Sequence, residues 1–151
     1  MKVLLAGSII LLLSTCANQP DCLITATNQV KISLKKTTSS EANSVLFTSI
    51  TISGKDSTLY SNKTVSSLVL YVNPNEVQTT FKFNYKDALN KARTDSLIVA
   101  YVALNVIISP ECGGYVYFNN LSVAATSFTS EPKIVNNQLS TSATVNIEIK
   151  L

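Results

Sequence analysis

From about residue 28 onward, apolar and polar side chains alternate with a period of two. Val30, Ile32 and Leu34 alternate with Lys31, Ser33 and Lys35. Val77, Thr79, Phe81, Phe83 and Tyr85 alternate with Gln78, Thr80, Lys82 and Asn84, and Val145, Ile147, Ile149 and Leu151 close the chain in the same way. This period, carried by β-branched and aromatic residues, predicts strands with one buried and one wet face. Further strands are expected at Leu46 to Ser53, Leu68 to Val72, Leu97 to Ile108 and Tyr115 to Asn120. The run LIVAYVALNVII (97–108) is apolar on both faces, so it reads as one long central strand, or two with a bend near Ala103-Leu104-Asn105. Turn residues separate the runs at Ser53-Gly54-Lys55-Asp56, Asn73-Pro74-Asn75, Ser109-Pro110-Glu111 with Gly113-Gly114, and Asn136-Asn137. Only KDALNKAR (86–93) has helical character, enough for one or two turns. Eight or nine short strands with almost no helix predict an all-β fold, a two-layer antiparallel sandwich of immunoglobulin-like type. It spans 23–151 as a single domain.

The first residues break this pattern. Met1-Lys2 gives a positive start, and Val3 to Leu13 is an apolar run interrupted by Gly7 and Ser8. As a helix that run measures about 16 Å, against a hydrocarbon layer of roughly 30 Å. It is too short to span and fits the centre of an export signal over 1–15. Leu13-Ser14-Thr15-Cys16 resembles the lipobox of bacterial lipoproteins, in which the cysteine is acylated and becomes the mature N-terminus. Thr15 departs from that pattern, where Gly, Ala or Ser is usual. A cut by ordinary signal peptidase after Ala17, or a Cys16 buried in a core helix, are the competing readings. With acyl chains on Cys16, residues 16–22 form a short tether and the chain is held on a membrane.

The chain has three cysteines. With Cys16 modified or removed, Cys22 and Cys112 remain in an oxidising compartment, where free thiols seldom persist. Their pairing would close a loop of about 90 residues, worth roughly 4 to 5 kcal/mol in the chain-entropy picture. Two separate buried thiols are the alternative. No metal site is expected, because two cysteines without histidine do not complete a tetrahedral set.

Composition then narrows the chemistry. The 151 residues carry 12 basic and 9 acidic side chains, scattered, with no His and no Trp. Nothing resembles a nucleic-acid footprint. The absence of histidine removes Ser-His-Asp and Cys-His catalysis. Asp56, Glu76, Asp87, Asp95, Glu111 and Glu131 fall in predicted turns or at strand ends, where solvated acids are ordinary. Gly113-Gly114 lacks the lysine and following helix of a phosphate loop. The chain is therefore expected to be no enzyme and to need no cofactor.

Four pieces carry a resemblance: Asp21-Cys22 before Val30-Lys31-Ile32, the strand Thr94 to Tyr101, the turn Pro110-Glu111-Cys112-Gly113, and the closing Asn146-Ile147-Glu148-Ile149. In these the chain resembles a family of small, functionally uncharacterised lipoproteins of Bacteroidetes-type bacteria. The resemblance implies a lipid-anchored sandwich and brings no activity. Surface-displayed lipoproteins of such bacteria often carry several acids after the lipidated cysteine, whereas Ala17 to Cys22 holds only Asp21. A position on the outer membrane facing the periplasm is therefore expected ahead of surface display.

Binding features remain. Tyr115 and Tyr117 lie on one face of a predicted strand, where they could stack on sugar rings or anchor an interface; core tyrosines with wet hydroxyls are the plainer reading. Asp56-Ser57-Thr58 and Asp95-Ser96-Leu97 resemble the O-glycosylation acceptor of these bacteria, with Ser57 in a loop and Ser96 in a strand. The function expected is a non-catalytic envelope protein, anchored through lipid, that works as a structural or assembly module with a protein partner. A glycan- or ligand-binding lipoprotein is the alternative, and a pilus-type subunit a further one.

Overall fold

A computed structural model describes residues 25–55 and 57–151. The period-two segments form nine strands: β1 (Gln29–Lys35), β2 (Val45–Ile52), β3 (Thr58–Val65), β4 (Ser67–Tyr71), β5 (Gln78–Lys86), β6 (Ala92–Ser109), β7 (Gly113–Thr126), β8 (Lys133–Ile134) and β9 (Ile147–Lys150). They build two sheets, β4-β1-β9-β8 and β3-β2-β5-β6-β7. Neighbours are antiparallel except β1 and β9, which run parallel from Ile32 opposite Ile147 to Lys35 opposite Lys150. No helix occurs among the described residues.

Alternation sets the core. Val30, Ile32, Leu34, Leu68, Leu70, Ile147 and Ile149 come from the first sheet. They meet Phe47, Ile50, Phe81, Phe83, Leu97 and Val99 from the second. Aromatic rings fill the wider part: Phe83 lies 5.3 Å from Phe128 and 6.1 Å from Phe47 between centroids. In β2 the inward parity switches from Val45 and Phe47 to Ile50 and Ile52, because the pairing with β5 shifts between Phe47 and Ser49. A bulge of this kind keeps both ends of a strand facing the core, whereas an unbroken ladder would turn one end outward.

Two local expectations are corrected. KDALNKAR is not helical: Lys86 ends β5, Ala92 begins β6, and the residues between form a hairpin turn. Asp87 organises it, its Oδ1 accepting from the backbone N–H groups of Leu89 and Lys91 at 2.9 Å each. Asn90 takes φ = 61°, a left-handed conformation that Asn tolerates. Local side-chain bonding of this sort competes with a helix and here replaces it. The second correction concerns Asn146, which the alternation Val145, Ile147, Ile149 places on the wet face. It is completely buried. Its backbone N–H donates to Lys31 O at 2.7 Å and its Oδ1 accepts from Lys31 N at 2.9 Å. Its Nδ2 donates to the carbonyls of Asn136 (3.2 Å) and Gln138 (3.0 Å). The side chain thereby staples β1 to the segment after β8.

Candidate functional site

Strand β6 is 18 residues long, and its partners do not cover all of it. β5 accompanies it only from Lys86 opposite Ala92 to Gln78 opposite Ala100. From Val102 onward, among the described residues, β6 has only β7 beside it, running from Asn119 opposite Val102 to Gly113 opposite Ser109. The two strands leave the sandwich together as a hairpin arm. Its base carries the last core residues, Tyr101 (3 % exposed) and Phe118 (3 %). A register shift there sets Asn120 and Leu121 opposite Tyr101, with Asn120 at φ = 56°. Bulges increase local twist and re-aim the strand that follows, and this one lies where the arm begins.

The arm is apolar and exposed. Ile107 is 81 % exposed, Leu104 45 % and Val102 44 %, against 0 % for Leu97 and Val99 in the same strand. Leu104 pairs with Tyr117 and Val106 with Tyr115, so these four side chains share one face. Ala103, Asn105 and Ile107 occupy the other, with Val116 and Phe118. Val102 to Pro110 contains no charge, and Glu111 at the tip is the first. The expectation that 97–108 is a central strand holds for Leu97 to Tyr101 and fails beyond, where an apolar sequence meets solvent.

The sequence-predicted residues divide between this arm and other places. Tyr115 and Tyr117 lie in it, half-buried and paired with Val106 and Leu104. Cys112 sits in its turn, with its N–H donating to Ser109 Oγ at 3.0 Å. Cys112 is not a free thiol, and what it engages lies outside the described residues. Cys16, Cys22 and Asp56 also lie outside them. Ser57 is exposed in the β2–β3 connection. Ser96 is inside β6, where its N–H donates to Ser127 Oγ and its C=O accepts from Ser127 N.

At the opposite end of β6 is a cavity of about 500 Å³, lined in part by Asn43, Tyr85, Lys86, Arg93, Thr129 and Lys150. A volume of this order holds a small molecule. Beside it, Tyr85 donates its hydroxyl to Asp95 Oδ2 at 2.7 Å, and Ser127 donates to Oδ1 at 2.9 Å. Asp95 is thus a doubly hydrogen-bonded, half-buried carboxylate, not the solvated acid its sequence position suggests. Burial first, and the Asp95 carboxylate second, push the Tyr85 phenol up to about 12. The hydroxyl therefore stays protonated and serves as a donor. Tyr101 is raised as well, by burial, and its hydroxyl donates to Asn73 O at 2.6 Å. Among the described residues there is no cluster of His, Cys, Asp and Glu able to hold a metal ion.

The exposed arm was hidden in the sequence because its residues are those of a core strand. Length is the signal that points to it. Twelve uncharged, mostly apolar residues exceed the five or six of an average strand, and the neighbouring strand is too short to accompany them.

No curated protein and no solved structure matches the chain. One family model does, that of a family of unknown function (DUF6452), over residues 46–151, from within β2 to the final residue.

Proposed function

The chain belongs to this family of unknown function, and on that premise, which brings no activity with it, we propose a non-catalytic, lipid-anchored protein of the cell envelope. It acts as a protein-interaction or assembly module through the β6–β7 arm. The observation that carries the reading is the exposure of Val102, Leu104, Val106 and Ile107 on a hairpin that contributes nothing to the core beyond Phe118. A monomer rarely presents contiguous apolar surface of this kind unless something covers it.

The anchor is acyl chains on Cys16, with the body facing the periplasm from the outer membrane. Cys22 pairs with Cys112 in the arm's turn. The entry of the chain supports this pairing. Ala26 pairs with Ser140, next to Leu139, which pairs with Phe118 at the arm base. From Ala26 back to Cys22 the chain reaches up to about 14 Å, and a disulfide adds about 5.5 Å between Cα atoms. The six residues from Phe118 to Cys112 measure about 20 Å, which chain and disulfide together just match. Ser57, exposed in its loop, is the better glycan acceptor of the two serines.

Labelling with a radioactive fatty acid tests the anchor: the native chain takes up label and Cys16→Ser does not. Cross-linking in the native membrane, followed by mass spectrometry, tests the role, with a recurrent partner expected that is lost when Val102 to Tyr117 is replaced by a tight turn. A second reading, ligand binding, draws on the cavity that Tyr85 lines, where Lys86, Arg93 and Lys150 outnumber the one acidic side chain, Asp87. Saturable chemical-shift changes at those residues with anionic glycans would favour it.

A further inference from the structure

Resting on the arm as the interaction element, we propose that its partner is a second copy of this chain. The two β6 strands pair antiparallel, edge to edge, about Asn105. The open edge of β6 can be located from its hydrogen bonds. Tyr101 N–H donates to Val77 O at 3.0 Å, on the β5 side. Peptide groups alternate along a strand, so Ala103, Asn105 and Ile107 turn their N–H and C=O groups to that same side. No described strand lies there, because β5 has ended at Gln78. The far edge of the arm is partly closed: Phe118 O accepts from Leu139 N at 2.9 Å, and Leu121 N donates to Asn137 O at 2.8 Å.

Exposed edges are normally blunted by lysine, proline or an inward charge. Val102 to Ser109 carries none of these. A bilayer is a poor occupant, since unpaired peptide groups are not tolerated in hydrocarbon, and Glu111 stands at the tip. A strand satisfies the edge, and this strand complements itself. With Asn105 opposite its copy, Ala103 stands opposite Ile107, a small residue against a large one, and Leu104 opposite Val106. Every edge-facing peptide group of Ala103, Asn105 and Ile107 then finds a partner in the other copy. No charged residues are brought together, and the two Glu111 side chains lie at opposite ends. The pairing is smaller than the ~1,200 Å² and more of a stable interface. Confinement of both copies to one membrane raises their effective concentration and offsets this.

The test uses the full lipidated chain in its own membrane, with an amine cross-linker and detection of the dimer band. The native chain is expected to give a dimer. Asn105→Lys and Asn105→Glu, each alone, place like charges opposite each other and are expected to lower it about tenfold, equivalent to ~1.4 kcal/mol. Co-expression of the two restores it. Ala103→Pro provides an independent variant, because the N–H it removes faces the open edge and not β7. It keeps the native circular dichroism and loses the dimer. Absence of a native dimer, or a dimer indifferent to all three substitutions, overturns the proposal. If the arm instead captures a different protein, in a manner lost with Ala103→Pro, the interaction role stands and self-pairing falls. If arm variants change nothing recovered, both fall.

Discussion

The rings of Tyr101 and Phe118 meet edge to face, 5.7 Å apart at 77°, and the core of the sandwich ends at this contact. Tyr101 stands one step inside Val102, the first exposed position of the arm, and Phe118 is level with Ala103 on the neighbouring strand. Beyond that contact, the arm's two strands are joined by the β6–β7 ladder, and Cys112 in its turn is engaged as well.

That boundary predicts a sharp split in mutational cost. Phe118→Ala removes a buried ring and is expected to destabilise by about 3 to 5 kcal/mol. Ile107→Ser lies only a few residues away and is expected within about 0.5 kcal/mol of the native chain. Urea unfolding of both variants checks this. Comparable losses would mean that the arm packs into the fold.

Asn146→Ala is expected to be among the most damaging polar substitutions. It leaves Lys31 N and the carbonyls of Asn136 and Gln138, all partly buried, without the side-chain partner that reaches them from a fully buried position. Each unsatisfied group costs about 1 to 3 kcal/mol. Because these groups are only partly buried, the predicted loss is about 1 to 3 kcal/mol in total, with faster hydrogen exchange at Lys31 as its local signature. A midpoint shift no larger than that of an exposed Asn→Ala change would refute it.

The parts legible in the sequence are those where one face is wet and the other dry. β1, β5 and β9 could be read from alternation alone, and the sandwich follows from them. β3 (TLYSNKTV) was missed because, as an edge strand, it buries little and needs no apolar stripe. Asn146 was misassigned because parity predicts a side chain's face, not whether polar partners wait there. The arm was misjudged for the opposite reason: hydrophobicity reports that a surface wants covering, and not which molecule covers it.

Alkaline stability should report on Tyr85. Its folded-state value of about 12 lies above the ordinary 10, so the folded state holds the proton more tightly. That contribution is present in full below about pH 10, declines as the unfolded chain's phenol ionises, and is gone above about pH 12. Tyr85→Phe is expected to flatten this decline without abolishing it, since Tyr101 is shifted in the same direction. Urea midpoints at about pH 9, 10 and 11 give the slope. Identical slopes in the two proteins would mean that Tyr85 is not held buried against Asp95 in solution.

The proposed link between Cys22 and Cys112 makes a prediction that separates tethering of the arm from stability of the core. Unfolding under non-reducing conditions should show a closed loop of about 90 residues, and its reduction should cost roughly 4 to 5 kcal/mol in the chain-entropy picture. Cys112→Ser and Cys22→Ser should each produce this loss, and the double variant should add little to either, because one bond is removed in every case. The core contacts of Phe83, Phe128 and Leu97 lie far along the strands from the arm's turn, so near-ultraviolet circular dichroism of the aromatics should stay native. Hydrogen exchange should instead accelerate from Val102 to Tyr117. Two single variants whose effects simply add would show that the cysteines act separately, and Cys112 would then need another partner.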